Sequence, residues 1–262
     1  MSVYLVSDLH GASDALKKAV PEGSILVLLG DLINFLDYIS MTGILTEVFS
    51  VEAVEEVVNL RTSGRVSEAR EAIKIRAAGR ENEIRAAIAE RVQSAYDTIF
   101  PAFPDPTYLI LGNVDNPRLV EEMATKTPAV RLVDGEVVAI EGERFGFVGG
   151  ALPTPLRVAG EITEEAMKAK VESLGECDVL CSHIPPAIPE LCFDTLAKKS
   201  ERGSEDLLNY VRDVQPRLAY FGHVHQPLMS AMYVGRTRCI NVGYFRSTER
   251  AFPHGGETWR NA

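Results

Sequence analysis

The chain has 262 residues, 46% hydrophobic and 24% charged, a globular composition long enough for one large α/β domain or one domain carrying an insertion. Its net charge of −10 and pI near 5.1 disfavour broad nucleic-acid binding and docking on anionic membranes, because an acidic surface repels phosphate. No apolar run approaches the ~20 residues of a membrane helix. Met1-Ser2-Val3-Tyr4-Leu5-Val6 runs straight into an apolar strand with no basic segment before it, so a secretory signal is not expected. Cys177, Cys181, Cys192 and Cys239 form no CxxC pair and read as buried reduced thiols of a cytoplasmic protein.

In chain order, Val3–Ser7 is a short apolar run ending at Asp8, and Ile25–Leu29 is another, followed by Gly30-Asp31. From about Phe35 to Phe100 the pattern turns helical. Val54, Val57 and Val58 share one face, as do Ile84, Ile88, Val92, Ala95 and Ile99. Ser50 is an expected N-cap with acidic residues after it. Arg70, Glu71, Arg80 and Glu81 read as solvated faces, and Pro101, Pro104 and Pro106 close the segment. This stretch is read as a helical insertion of about 35–104 in a single domain of 1–262, its apolar stripe serving core packing within a cap or a homo-oligomer contact.

Tyr108–Leu111 then leads into Gly112-Asn113, and Asn116-Pro117 opens a helix. A hairpin turning at Gly135 is predicted over Val130 to Ala139. Phe145–Val148 ends at Gly149-Gly150, Thr163-Glu164-Glu165-Ala166 starts another helix, Val179–Cys181 leads to Ser182-His183, and Leu218–Phe221 to Gly222-His223. Apolar runs bounded by Gly or polar residues are strands buried on both faces. With helical patterns between several of them, an α/β or mixed-sheet sandwich is expected.

The strand ends carry the chemistry. Asp8 and His10 stand two apart, so an extended chain points both the same way, and His223 and His225 repeat the spacing. Asp31 and Asn113 each follow a glycine that permits a tight turn. His183 stands before Pro185-Pro186. Each motif alone has an ordinary structural reading, a turn or a hydrogen-bonded histidine; their joint occurrence in this order is the signal. Imidazoles, two carboxylates and one amide oxygen suit Mn, Fe, Zn, Co or Ni better than Ca or Mg. Four of the five histidines belong to this set; the fifth, His254, lies in a Pro- and Gly-flanked tail and is expected to be solvent-exposed.

The ordered series Asp8-Leu9-His10, Gly30-Asp31, Gly112-Asn113-Val114-Asp115, Ser182-His183 and Gly222-His223-Val224-His225 resembles the calcineurin-like metallophosphoesterase family over residues 8 to about 243. The resemblance implies a four-layer αββα sandwich of two mixed sheets flanked by helices. It implies two divalent metal ions, manganese foremost: Asp8, His10, Asp31 and His225 hold the first, Asp31 bridges, and Asn113, His183 and His223 complete the second. Asp31, Asn113 and His183 are the implied catalytic residues, acting on a small phosphate ester through a metal-bridging hydroxide. Asn241-Val242-Gly243 resembles the family's later Asn-Pro-Gly turn, with Val for Pro and Tyr244 for the usual Ser, so no role is carried over to it.

Val114 departs from the pattern. The family usually has His there, which stabilises charge or protonates the leaving oxygen, and loss of a general acid typically costs about 10²–10⁴-fold in rate. Asp115 would orient that histidine, so it is expected to be a plain polar residue before a helix. A branch of the family that lacks the histidine resembles phosphodiesterases and also contains a protein-binding scaffold. Two readings follow: a phosphodiesterase, or an esterase of activated monoesters, and a catalytically weak metal-bearing scaffold. A nuclease is disfavoured by the acidic charge and the absence of Lys/Arg clusters near the motifs.

Overall fold

The computed structural model describes residues 1–37, 39–154 and 158–256. Strand β1 (Val3–Val6), helix α1 (Ser13–Ala19) and strand β2 (Ile25–Leu28) open the chain. Four helices follow: α2 (Ile44–Val48), α3 (Val51–Thr62), α4 (Val66–Ala77) and α5 (Glu81–Ile99). Ser50 caps α3 by accepting the Ala53 amide. A 3-10 turn at Phe100–Ala102 and strand β3 (Thr107–Leu109) lead to α6 (Pro117–Lys126), where Asn116 accepts the Leu119 amide and Pro117 occupies the first turn, which has no amide to lose. Next come β4 (Val130–Leu132), β5 (Glu136–Ile140), β6 (Glu143–Val148) and α7 (Glu164–Ser173), the helix capped by Thr163. The remainder is β7 (Val179–Ser182), α8 (Pro189–Cys192), β8 (Phe193–Asp194), β9 (Lys199–Ser200), α9 (Glu205–Val214), β10 (Leu218–Phe221), β11 (Ala231–Val234), β12 (Thr237–Asn241), α10 (Phe245–Thr248) and β13 (Phe252–Pro253).

Two sheets face each other. The smaller has the order β13-β1-β2-β3-β4, parallel except for β13; the larger runs β11-β12-β10-β7-β6-β5, parallel except at its two edge strands. Between them, Leu5, Val27, Leu29 and Ile110 of one sheet meet Phe145, Phe147, Val179, Tyr220 and Ile240 of the other. The outer face of the small sheet packs α1, α5 and α6 through Leu16, Val92, Tyr96, Ile99 and Val120, and that of the large sheet packs α7 and α9 through Met167, Val171, Leu207 and Val211. The result is the four-layer αββα sandwich. Strands β2, β7 and β10 are buried at every residue. Sequences apolar at successive positions fit only where both faces are covered.

One local expectation is overturned. Gly135 does not turn a hairpin: β4 pairs with β3 in the small sheet, whereas β5 pairs with β6 in the large one. The residues around Gly135 carry the chain from one sheet to the other, and the Gly135 amide is taken by the Phe147 carbonyl at 2.7 Å. The hairpin in this region joins β5 to β6 around Gly142.

Candidate metal centre

Parallel strands end together, so their C-terminal loops gather on one edge of the sandwich. Asp8 and His10 follow β1, Asp31 follows β2, Asn113 follows β3, His183 follows β7, and His223 and His225 follow β10. Four of these seven residues adopt left-handed backbone: Asp8 (φ 56°), His10 (φ 41°), Asp31 (φ 56°) and His223 (φ 67°). Each such non-glycine residue costs of order ~1 kcal/mol and persists only where its surroundings over-determine it. Here Asp8 N–H donates to the Gly30 carbonyl (3.1 Å), His10 N–H to that of Asp31 (2.9 Å) and Gly11 N–H to that of Leu32 (2.8 Å). The glycines permit the closest approaches. A Cβ on Gly112 would overlap the Asp31 carboxylate, and one on Gly222 would overlap Ser7 and the Asp8 carboxylate.

The seven side chains form two adjoining groups. Ligand atoms of Asp8, His10 and His225 lie within 4.8 Å of one another, as do those of Asp31, His183 and His223. Asn113 joins the second group: its Oδ1 lies 3.0 Å from His183 Nε2 and 2.9 Å from His223 Nδ1. Asp31 touches both groups, with Oδ2 3.7 Å from His10 Nε2 and Oδ1 3.6 Å from His183 Nε2. The His223 amide donates to Asp8 Oδ2 at 2.9 Å and ties the groups together.

Ring tautomers are set from behind. His10 Nδ1 faces the Ile33 carbonyl at 3.2 Å and His183 Nδ1 the Leu29 carbonyl at 2.7 Å. A carbonyl only accepts, so each Nδ1 carries the proton and each Nε2 presents a lone pair. The His10 lone pair points toward the carboxylates of Asp8 (3.9 Å) and Asp31, and Asp8 Oδ1 and His10 Nε2 are buried with no hydrogen-bond partner among the described residues. A lone pair aimed at two carboxylates is repulsive unless a cation lies among them. The donor set therefore fits a divalent ion in each group.

Burial and neighbouring charge set the titration. Burial pushes Asp31 up to about 7, with the negative charges of Asp8 and Asp115 adding to the effect against the pull of His183. Burial also brings His10 down to about 4 and His223 to about 3, leaving both rings neutral, the form that ligates metal. For Asp8, burial acts upward but is outweighed by the His225 imidazole facing it at 3.5 Å and by the neighbouring His183 and His10, which hold the carboxyl well below the usual range.

A model of the calcineurin-like phosphoesterases matches residues 1–227. The chain belongs to that family. One solved structure aligns over 93% of this phosphoesterase and 91% of its own length at 19% identity, with a TM-score of 0.58, which shows the shared fold. A proposed 5'-nucleotidase from Staphylococcus aureus aligns over 92% of this chain and 48% of its own at 13% identity and TM-score 0.44. The sulfate thiohydrolase SoxB of Thermus thermophilus aligns over 92% and 51% at 13% identity and TM-score 0.34. No curated protein matches the sequence. Calcineurin-like phosphoesterases are binuclear metal-dependent hydrolases of phosphate esters, and the two ligand groups stand as candidates for that pair. Among the described residues, no helix is long and apolar enough to cross a membrane.

Two expectations about individual residues in this phosphoesterase are corrected. Asp115 is no idle polar residue before α6. It is fully buried, and its carboxylate accepts the amides of Asp31, Leu32 and Gly112, each at 2.9 Å, clamping the loop after β2 to the loop after β3. The α5 residue Tyr96, also fully buried, brings its hydroxyl to this place and accepts the Asn116 amide at 2.8 Å. His254 is not solvent-exposed: at the far end of the sandwich its rings of contact include Glu143 (Nε2 to Oε2, 2.7 Å) and the Tyr220 hydroxyl (3.2 Å). Only the sheet edge on which the seven side chains gather shows that His254 is absent from the centre. Sequence reasoning also passed over Tyr244, whose ring lies against the centre; a substitution away from serine was its only signal.

Proposed function

We propose that this chain is a binuclear phosphoesterase that cleaves phosphodiesters, or phosphomonoesters with good leaving groups. In this reading Asp8, His10, Asp31 and His225 hold one divalent ion, manganese foremost, and Asp31, Asn113, His183 and His223 hold the other. The observation that carries it is Asp31, whose two oxygens face one imidazole lone pair from each group. When bound, such ions lower the pKa of water toward neutrality and offset charge on the phosphoryl oxygens.

The chain's own residues position and orient. Val114 N–H donates to Asp31 Oδ1 at 3.0 Å, and Asp115 holds the Asp31 backbone, so the carboxylate between the groups is fixed from two directions. The Ile33 and Leu29 carbonyls keep the protons of His10 and His183 on Nδ1, away from the reacting phosphate. At position 114, where the family usually has an imidazole, the isopropyl group has no proton to give and is half-buried against the outer core. A departing oxygen must then leave as a weakly basic anion or take its proton from water. That selects aryl esters and other activated substrates over simple alkyl monoesters.

The single domain with its helical insertion of about 35–104, a cytoplasmic location and a small-molecule rather than nucleic-acid substrate belong to the same proposal, the location supported by four buried free cysteines. A metal-bearing scaffold is the competing reading, and Val114 favours it. A manganese-supplemented assay on matched aryl phosphate mono- and diesters separates the two. We expect faster turnover of the diester, and loss of both activity and bound metal in Asp31→Ala. A parent protein that binds metal but turns over neither ester establishes the scaffold.

A further inference from the structure

The two halves of the centre differ in how their second histidine is held. His10 and His183 are each aligned by a backbone carbonyl behind the ring. Among the described residues no backbone carbonyl is hydrogen-bonded to His225 in this way; its Nε2 faces Asp8 Oδ1 at 3.5 Å. What it has is a ring. Tyr244, the residue directly after Gly243, lies flat on the His225 imidazole, with centroids 3.8 Å apart and planes 6° from parallel. The same tyrosine meets His10 edge-on at 5.6 Å and 86°, and His10 meets His225 edge-on at 5.3 Å and 80°. In the other half His183 and His223 meet at 5.1 Å and 67°, and among the described residues no third ring lies on them.

Tyr244 is itself anchored to the loop that supplies Asp8 and His10. The Phe245 amide donates to the Ser7 carbonyl at 3.1 Å and the Arg246 amide to that of Asp8 at 3.2 Å. The Arg246 guanidinium donates to the His10 carbonyl at 3.0 Å and to Thr42 Oγ1 at 3.2 Å. Phe245 is buried in the outer core. The ring is therefore held by the backbone it serves, and a flat face on an imidazole resists rotation of that imidazole out of plane.

We propose that Tyr244 is a positioning residue for the ion held by Asp8, His10, Asp31 and His225, keeping the His225 plane aimed at that ion and making its half of the centre bind more tightly than the half built on Asn113, His183 and His223. The inference rests on the two-ion reading above. Outer partners that orient a ligand are typically worth about 10–100-fold in metal affinity, and a stacking contact without a hydrogen bond belongs at the low end.

The test is calorimetric titration of metal-stripped protein with Mn²⁺. The parent is expected to show two binding events of unequal affinity. Tyr244→Phe keeps the ring and both events. Tyr244→Ala and Tyr244→Leu weaken the tighter event about tenfold and leave the weaker one in place; Leu retains bulk without a flat face, so it reads the effect even if Ala folds poorly. In a His225→Ala background the Tyr244→Leu change adds nothing further. Equal affinities in the parent and in Tyr244→Leu overturn the inference and leave the phosphoesterase reading intact, as does a loss spread evenly over both events. Two-ion binding without ester hydrolysis overturns the phosphoesterase reading alone, and a parent that binds no divalent ion overturns both.

Discussion

The strand-end loops and the α3–α4 hairpin are built on opposite principles. At the strand ends, four non-glycine residues sit in left-handed backbone, each locked by buried hydrogen bonds, and atoms such as Asp8 Oδ1 and His10 Nε2 have no hydrogen-bond partner among the described residues. In the hairpin, Val54, Ala69 and Ala72 are the buried residues, and the charged residues form exposed local pairs such as Arg65 with Glu68. Strain and orphaned polar atoms collect where chemistry is expected; satisfied, solvated pairs collect where only helix formation is required. Helix α5 belongs to neither extreme, since it buries Val92, Tyr96 and Ile99 against the small sheet and reaches Asn116 through Tyr96.

The sharpest way to break this contrast is at Asp115. Asp115→Asn keeps the volume but turns an N–H toward amides that now meet an oxygen, so the loops carrying Asp31 and Asn113 lose their clamp. We expect kcat/KM on the best ester to fall about 100-fold, the scale of a displacement of roughly 1 Å in a catalytic group, with metal binding weakened alongside. Steady-state kinetics and metal titration of a variant shown by circular dichroism to be folded provide the check; parent-like values would reduce Asp115 to an ordinary buried polar group.

A gain of function comes next in size. Val114→His restores the imidazole usual in the family, beside an Asp115 that is already buried. Turnover of simple alkyl monoesters should rise by about 10-fold or more, toward the 10²–10⁴ range of general acid catalysis, while aryl diesters change little because their leaving group needs no proton. A ratio of the two rates unchanged by the substitution would show that leaving-group protonation is not what position 114 controls.

The smallest effect belongs to the hairpin. Glu68→Ala removes one exposed partner of Arg65, and such pairs contribute about 0–1 kcal/mol. Its thermal midpoint and kcat/KM should match the parent. A marked loss of activity in this variant would mean that the hairpin takes part in catalysis and that its charged face is more than solvation.

Some of this was readable before any fold was known. Runs such as Ile25–Leu28 and Leu218–Phe221 declare themselves as strands because burial on both faces leaves no room for polar residues. Ser50, Asn116 and Thr163 announce helix starts because the side-chain oxygen needed by the first turn lies within three residues of its amide. The polar residues closing successive strands were visible for the same local reason. The sheet to which β4 or β5 belongs was not, since Gly135 permits a tight hairpin and a crossover equally well and long-range pairing chooses between them. Strand β13 was hidden too: Pro253 weakens any strand pattern, and only pairing with β1 at a sheet edge admits it.

Residue types and order alone settled the apolar strands, the helix caps and the supply of imidazole, carboxylate and amide at strand ends, because each depends on neighbours a few positions away. Tertiary structure alone decided that Asp115 clamps the loop after β2 through Leu32 and Asp31, 83 and 84 residues away, that His254 pairs with Glu143, and that Tyr244 lies on His225. Those contacts join segments whose meeting is fixed by sheet order and packing, and no local pattern of side chains encodes which distant ring or carboxylate will arrive at a given place.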